Sequence, residues 1–129
     1  MAAQRNVRQA GAIPPHRVLR DMLRHYTEFR ELVNGGGSHV LEHSYLAADE
    51  DGNVHKETIS ISFWDLHRGI KDLAPRKRQA LFLNVLLDKK QKDVAAMMGI
   101  TTVSVGQYVE AACKQLAKHH FPEVPDEEE

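Results

Sequence analysis

The chain has 129 residues, of which 42% are hydrophobic and 27% are charged, and its formal net charge is −1. Its single cysteine excludes a disulfide framework and a cysteine-based zinc site. No apolar run approaches the roughly 18 residues that a transmembrane helix needs. A chain of this size buries enough surface to fold without a disulfide or a metal. We therefore expect a globular, cytoplasmic protein with no membrane partner, and the sequence shows no cofactor motif.

Charge is distributed unevenly along the chain. Residues 74–118 hold eight Lys or Arg against three acidic side chains, and residues 119–129 hold five acids and no Lys or Arg. A basic segment attracts polyanions such as nucleic acids, although solvated helix faces can also differ in charge by chance.

The first regular element follows an aperiodic arm at residues 1–12. Apolar residues from Val18 to Val33 recur at helical spacing, and Pro15 suits a first helical position. Asn34 and the three glycines after it supply a stop. The pattern predicts one long helix over 15–33, whose apolar face either completes the core or forms the seam of a homodimer.

Two structures are open for residues 38–61. Alternating β-branched residues over 54–61, after the Asp51-Gly52 turn signal, favour a hairpin with residues 40–47. Residues 39–48 could equally form a short helix.

The remainder is predicted to be helical. Ser62 and Asp65 have the form of a capping box, Gly99 ends a short helix, and Thr101 has the position of an N-cap. The predicted helices span 63–73, 75–87, 91–98 and 102–119. The predicted organisation is a flexible arm (1–12), an N-terminal helix with a glycine joint and hairpin or loop (13–62), a helix-turn-helix domain (63–119) and a disordered acidic tail (120–129).

Residues 92–105 have the spacing of a helix-turn-helix. Ala95 allows the second helix to approach the first, Gly99 permits the left-handed turn, and Ile100 and Val105 clamp the two helices together. In DNA-binding units of this type the second helix presents its N-terminal residues to base edges in the major groove.

Residues 73–116 resemble region 4 of sigma-70-class sigma factors, especially the extracytoplasmic-function type. Three stretches carry the resemblance, at residues 73–78, 92–95 and 98–101: Leu-Ala-Pro-Arg-Lys-Arg, Lys-Asp-Val-Ala and Met-Gly-Ile-Thr. The resemblance implies a mainly α fold, recognition of double-stranded promoter DNA and contact with RNA polymerase. Residues 1–62 are too few for the other large half of an initiating sigma factor. We therefore expect a stand-alone region-4-like transcription regulator, of the sort found in phages and mobile elements.

Candidate DNA contacts follow from this arrangement. Base edges or sugars would be met by five residues at the start of the recognition helix: Thr102, Val103, Ser104, Gln107 and Tyr108. Phosphates would be held by basic and hydroxyl side chains: Arg76, Lys77, Arg78, Lys90, Lys92, Thr101 and Lys114.

The recognition helix is poor in positive charge. Its expected exposed side holds Gly106, Tyr108, Ala111 and Cys113, and Glu110 adds a negative charge. This favours an alternative function, a protein-interaction adapter that docks on RNA polymerase or another protein with little DNA binding.

One short segment resembles a catalytic metal-binding pattern. His39-Val40-Leu41-Glu42-His43 fits a metallopeptidase motif in which two histidines share a helix face around zinc. No third-ligand motif accompanies it, so we expect neither a metal site nor an enzyme.

Overall fold

A computed structural model describes residues 14–48 and 50–120. This part of the chain is mainly helical, with a two-stranded antiparallel sheet between the second and third helices, which confirms the predicted fold class. The elements are α1 (Pro15–Leu23), α2 (Tyr26–Asn34), β1 (Val40–Ala48), β2 (Val54–Ser62), α3 (Phe63–Lys71), α4 (Pro75–Leu81), α5 (Gln91–Met98) and α6 (Thr102–His120). The predicted arm at 1–12 and residues 121–129 of the predicted tail lie outside the described residues.

The prediction of one continuous helix over 15–33 is wrong. The helix breaks at Arg24 and His25, where the His25 N–H bonds the Met22 carbonyl three residues back at 3.0 Å. Apolar residues lie around much of the circumference of the predicted helix. A single straight helix would bury only those on one side. The break turns α2 so that Phe29, at 6% exposed, is buried in the same core as Met22.

The apolar face of α1 packs inside the chain's own core. Val18, Leu19 and Met22 are at most 1% exposed, and they belong to the same cluster as Val109 and Leu116 of α6. Of the two roles left open for this face, completion of the core is therefore the one observed.

Residues 40–62 form the hairpin, and the alternative of a short helix at 39–48 is wrong. Leu41 pairs with Ile61 and Ala48 pairs with Val54, so the strand after the turn pairs with residues 40–47 as the hairpin interpretation predicts. Gly52 takes φ +86° in the turn, a conformation that glycine adopts at low cost. One face of the sheet buries Ile61 against the helices, so side-chain alternation was the correct signal.

Ser62 caps α3, but a capping box does not form. The Trp64 N–H donates to Ser62 Oγ at 3.2 Å, while the Asp65 carboxylate accepts from Arg68 instead of turning back. Phe63 is buried between Tyr26 and Phe29, with ring centroids 5.3 and 5.4 Å away, and thereby joins α3 to α2.

The predicted helix over 75–87 is an α-helix only as far as Leu81. A π-turn follows from Phe82 to Leu86, closed by a bond from the Leu87 N–H to the Phe82 carbonyl at 2.9 Å. The extra residue in this turn shifts the helical register. Val85 and Leu86 of this turn are buried, whereas Phe82 is 43% exposed.

No helix within residues 14–48 and 50–120 has the length and hydropathy needed to span a membrane.

Candidate nucleic-acid interface

The turn between α5 and α6 has the predicted geometry. Gly99 adopts φ +70° and ψ 35°, and the Ile100 N–H bonds the Ala95 carbonyl at 3.0 Å. Ala95 and Val105 are buried where the two helices meet. The chain can therefore turn sharply enough to leave the start of α6 at the surface.

Thr101 caps α6 as its sequence position predicts. Its Oγ1 accepts from the Ser104 N–H at 3.0 Å and donates to Ser104 Oγ at 2.9 Å. Together these bonds fix the first turn of the helix and hold both hydroxyl groups in defined positions.

The candidate base-facing residues differ in accessibility. Thr102 and Gln107 are exposed, and Val103 is 69% exposed. Ser104 and Tyr108 are half-buried, Ser104 against Thr101 and Tyr108 against the core. The outward side of the first two turns thus combines two polar side chains with one branched apolar side chain.

The later part of α6 lies under α1. His16 Nε2 is 3.8 Å from the Glu110 carboxylate. Cys113, which the sequence placed on the exposed side, is 1% exposed, and burial raises the pKa of its thiol to about 11. That placement was wrong because Cys113 is buried in the same core cluster as the apolar face of α1. α1 therefore covers one side of the later part of α6, while Glu110 and Lys114 stay exposed on another side.

Lys90 and Lys92 are both exposed at the start of α5. Between them Gln91 reaches α6, where its side-chain amide lies 3.6 Å from the position that a Cβ on Gly106 would take. This contact places the two lysines beside the second turn of α6. The start of α5, which carries these two phosphate candidates, therefore packs on α6 through Gln91.

The other phosphate candidates are placed differently. Arg76 is exposed in the first turn of α4, and Lys77 Nζ lies 3.4 Å from Gln115 Oε1. Arg78 donates to the Lys71 carbonyl at 2.7 Å, and Lys114 pairs with Glu110 at 3.3 Å. Arg78 and Lys114 are thus engaged within the chain.

Sequence reasoning missed two residues at this surface. Gln91 links α5 to α6. The sequence signal for this contact is Gly106, because a glycine within a helix leaves room for a side chain from a neighbouring helix. Lys89 is exposed beside Lys90, and its carbonyl accepts from Asn84 Nδ2 at 2.8 Å. The left-handed Asp88, with φ 57°, directs the chain into this turn.

The His-x-x-Glu-His pattern lies in a strand, so its helix-based ligand geometry does not exist. Glu42 and His43 are neighbours in β1 and their side chains point to opposite faces of the sheet. Within the two described ranges no three His, Cys, Asp or Glu side chains are grouped to hold a metal ion.

Comparison with protein families gives one match. Residues 63–116 match the model described as Sigma-70, region 4. The matched segment begins at the first residue of α3 and ends in α6, and it covers less than half of the chain. No curated protein and no solved structure matches the chain.

Proposed function

We propose that the chain is a transcription regulator, on the premise that residues 63–116, which match the model described as Sigma-70, region 4, form a DNA-binding helix-turn-helix of transcription initiation. It recognises promoter or operator DNA through the first two turns of α6. The supporting observation is the exposed start of α6 beside Lys90 and Lys92, at the place where a helix-turn-helix enters the major groove.

Three side chains read sequence in this proposal. Gln107 bonds a base edge through its amide, which suits adenine, and Thr102 bonds a base or sugar through its hydroxyl. Val103 contacts a thymine methyl group, because its exposed apolar side chain has no other described partner on the core. Ser104 and Tyr108, which are half-buried, supply contacts at the rim of this surface.

Lys90 and Lys92 hold phosphates on one side, with Arg76 and Lys77 extending the basic surface from α4. The Thr101 hydroxyl and the first N–H groups of α6 lie at a helix N-terminus, which favours an anion. Because Lys114 is paired with Glu110 and Arg78 with backbone carbonyls, the phosphate contribution comes from few cations. We expect weak affinity with a moderate salt dependence.

Fluorescence anisotropy tests the proposal. The full chain is titrated at low salt into a labelled random-sequence duplex, and then into duplexes selected from a randomised library. Gln107→Ala should weaken binding to the selected duplex by roughly 1–3 kcal/mol and leave random-sequence binding unchanged. Gln79→Ala, which changes an exposed glutamine of α4 outside the proposed DNA contacts, is the control. Failure to bind any duplex more tightly than about 100 μM would contradict the proposal.

The adapter function remains the second candidate. The observation that favours it is the pairing of Lys114 with Glu110, which offsets one cation of the candidate DNA surface. Region 4 occurs in the context of RNA polymerase, so the partner to test is purified bacterial core polymerase. Retention of the chain on the polymerase after nuclease treatment, together with no DNA binding, favours the adapter. Loss of the complex after nuclease treatment favours the DNA-binding regulator.

A further inference from the structure

A cleft of about 440 Å³ opens between α2, α3 and α4. Its described lining residues belong to these three helices and to the π-turn at Phe82–Leu86, and none of them belongs to α5 or α6. The cleft is therefore a surface distinct from the candidate DNA interface.

Three cations surround this cleft. Arg30, Lys71 and Arg78 reach it from three different helices, and no Asp or Glu within residues 14–48 and 50–120 lines it. Among the described residues neither Arg30 nor Lys71 forms an ion pair. Arg78 uses Nη1 for the Lys71 carbonyl, which leaves further guanidinium N–H groups for a carboxylate. These three positive charges face no acidic side chain among the described lining residues, so the cleft favours an anionic ligand.

The floor of the cleft is apolar. Ile70 and Leu86 form its base, and Phe82 lies at the side with 43% of its surface exposed. The Tyr26 hydroxyl and His67 Nδ1 are hydrogen-bonded to each other at 2.8 Å and present a polar edge. A ligand that satisfies both parts must carry carboxylates and also apolar groups.

We propose that this cleft binds the chain's own C-terminal segment, residues 121–129. The segment reads Phe-Pro-Glu-Val-Pro-Asp-Glu-Glu-Glu, with apolar residues in its first half, five acids and no Lys or Arg. Its apolar half fits the floor formed by Ile70 and Leu86 and the exposed Phe82 beside it, and its acidic half fits Arg30 and Lys71.

The end of α6 lies close enough for this contact. Leu116 packs on Gly69 of α3, and the Asp65 carboxylate opposes the lowering of the His120 pKa that burial causes. The segment therefore leaves α6 beside α3. The cleft lies on the other side of α3, the side of His67 and Lys71.

The length of the segment is sufficient to pass around α3. A helix with its side chains is about 10–12 Å across, so the path around half of it is roughly 17 Å. Nine extended residues span about 30 Å, and the two prolines favour an extended chain. The acids at 126–129 therefore reach Arg30 and Lys71 with chain to spare. An anionic partner that used the same cleft would have to displace the segment.

Paramagnetic relaxation in the full-length protein tests the proposal. A nitroxide is attached to a Glu129→Cys variant, because the native Cys113 is buried and its raised pKa keeps the thiol protonated. The label should broaden the backbone amide signals of His67, Lys71 and Gln79. Adding Arg30→Glu with Lys71→Glu should remove the broadening by lowering the docked-to-free ratio at least about tenfold. The matched pair Lys90→Glu with Lys92→Glu should leave it in place.

Three results would overturn the proposal. Broadening confined to α5 and the start of α6 would place the segment on the basic DNA surface instead. Broadening that arises only when labelled chains are mixed with unlabelled, isotope-enriched chains would make the occupant a second copy. No broadening on the lining residues would show that the cleft does not hold this segment.

Discussion

Gly69 of α3 and Leu116 of α6 lie so close that a Cβ on the glycine would come within 2.9 Å of the leucine Cδ2. Leu116 is only 2% exposed, so its methyl group has little free space into which it can move. The contact sets how closely α3 approaches α6, the first and last helices of the segment that matches the family model. A glycine that looks unfavourable for a helix is required here by packing.

Gly69→Ala should therefore destabilise the protein despite the better helix propensity of alanine, by about 1 kcal/mol. The same change in a Leu116→Val background, which lacks the Cδ2 atom, should cost less or become stabilising. Urea unfolding of the wild type, both single variants and the double variant measures this coupling. Equal effects of Gly69→Ala in the two backgrounds would show that the close contact does not limit packing.

Two further glycines should respond in opposite directions to alanine. Gly99 has φ +70° with open space around it, so Gly99→Ala should cost roughly 1–2 kcal/mol through backbone strain alone. Gly106 is helical, and a Cβ there would make ordinary contact with Gln91 at 3.6 Å. Gly106→Ala should stabilise the protein by about 0.5–1 kcal/mol. Chemical denaturation of the two variants measures both values, and the same sign for both would contradict the assignment of the turn.

The cap of α6 should be measurable through Thr101. Thr101→Ala removes the acceptor of the Ser104 N–H and should lower the free energy of unfolding by about 1 kcal/mol. Thr101→Ser keeps the oxygen and should retain most of the stability. Thr102→Ala, one residue further at an exposed position, is the control and should stay within about 0.5 kcal/mol of the wild type.

Much of the fold could be predicted because its signals are local. The turn at Gly99, the cap at Thr101 and the alternation in β2 each depend on a few neighbouring residues, and each is present in the structure. The break at His25 and the π-turn after Leu81 could not be predicted in this way. Both are set by which side chains reach a common core, and that is a property of tertiary packing.

Salt dependence should separate the phosphate-binding lysines from the cations of the cleft. If Lys92 contacts one phosphate, Lys92→Ala should lower the slope of log affinity against log salt by about 0.9 and weaken binding to all duplexes alike. Lys71→Ala, which removes the same charge from the far cleft, should leave the slope unchanged. Anisotropy titrations at several salt concentrations give the slopes. A larger loss from Lys71→Ala would place the DNA at the cleft instead.

Acid should weaken the contact between α1 and α6. Burial, with Lys114 and the arginines at 17 and 20, lowers the pKa of His16 below its usual 6.5, although Glu110 opposes the shift. The unfolded chain therefore binds this proton more readily, and the free energy of unfolding falls as pH drops below about 6.5. His16→Gln should reduce this loss between about pH 7.5 and 5.5, whereas the exposed His25→Gln should not. Urea unfolding at the two pH values makes the comparison.

The candidate site was predicted less completely than the fold. The motif located the start of α6, but the burial of Cys113 depends on α1, which is distant in sequence. The internal bonds of Arg78 and Lys114 likewise depend on which backbone or carboxyl oxygens the fold places beside them. Charge counted along a sequence therefore overstates the charge that is free for a ligand.

The packing of α1 on α6 has a consequence for any attempt to dissect the protein. The family match starts at residue 63, yet Val18 and Leu19 are buried in the same cluster as Val109 and Leu116. A fragment trimmed to the matched boundary would present that side of α6 to water, and we expect it to aggregate or to unfold at lower urea than the whole chain. Genetic fusions and truncations designed on this scaffold should therefore keep the segment from Pro14 onward, because evolutionary and physical boundaries do not coincide here.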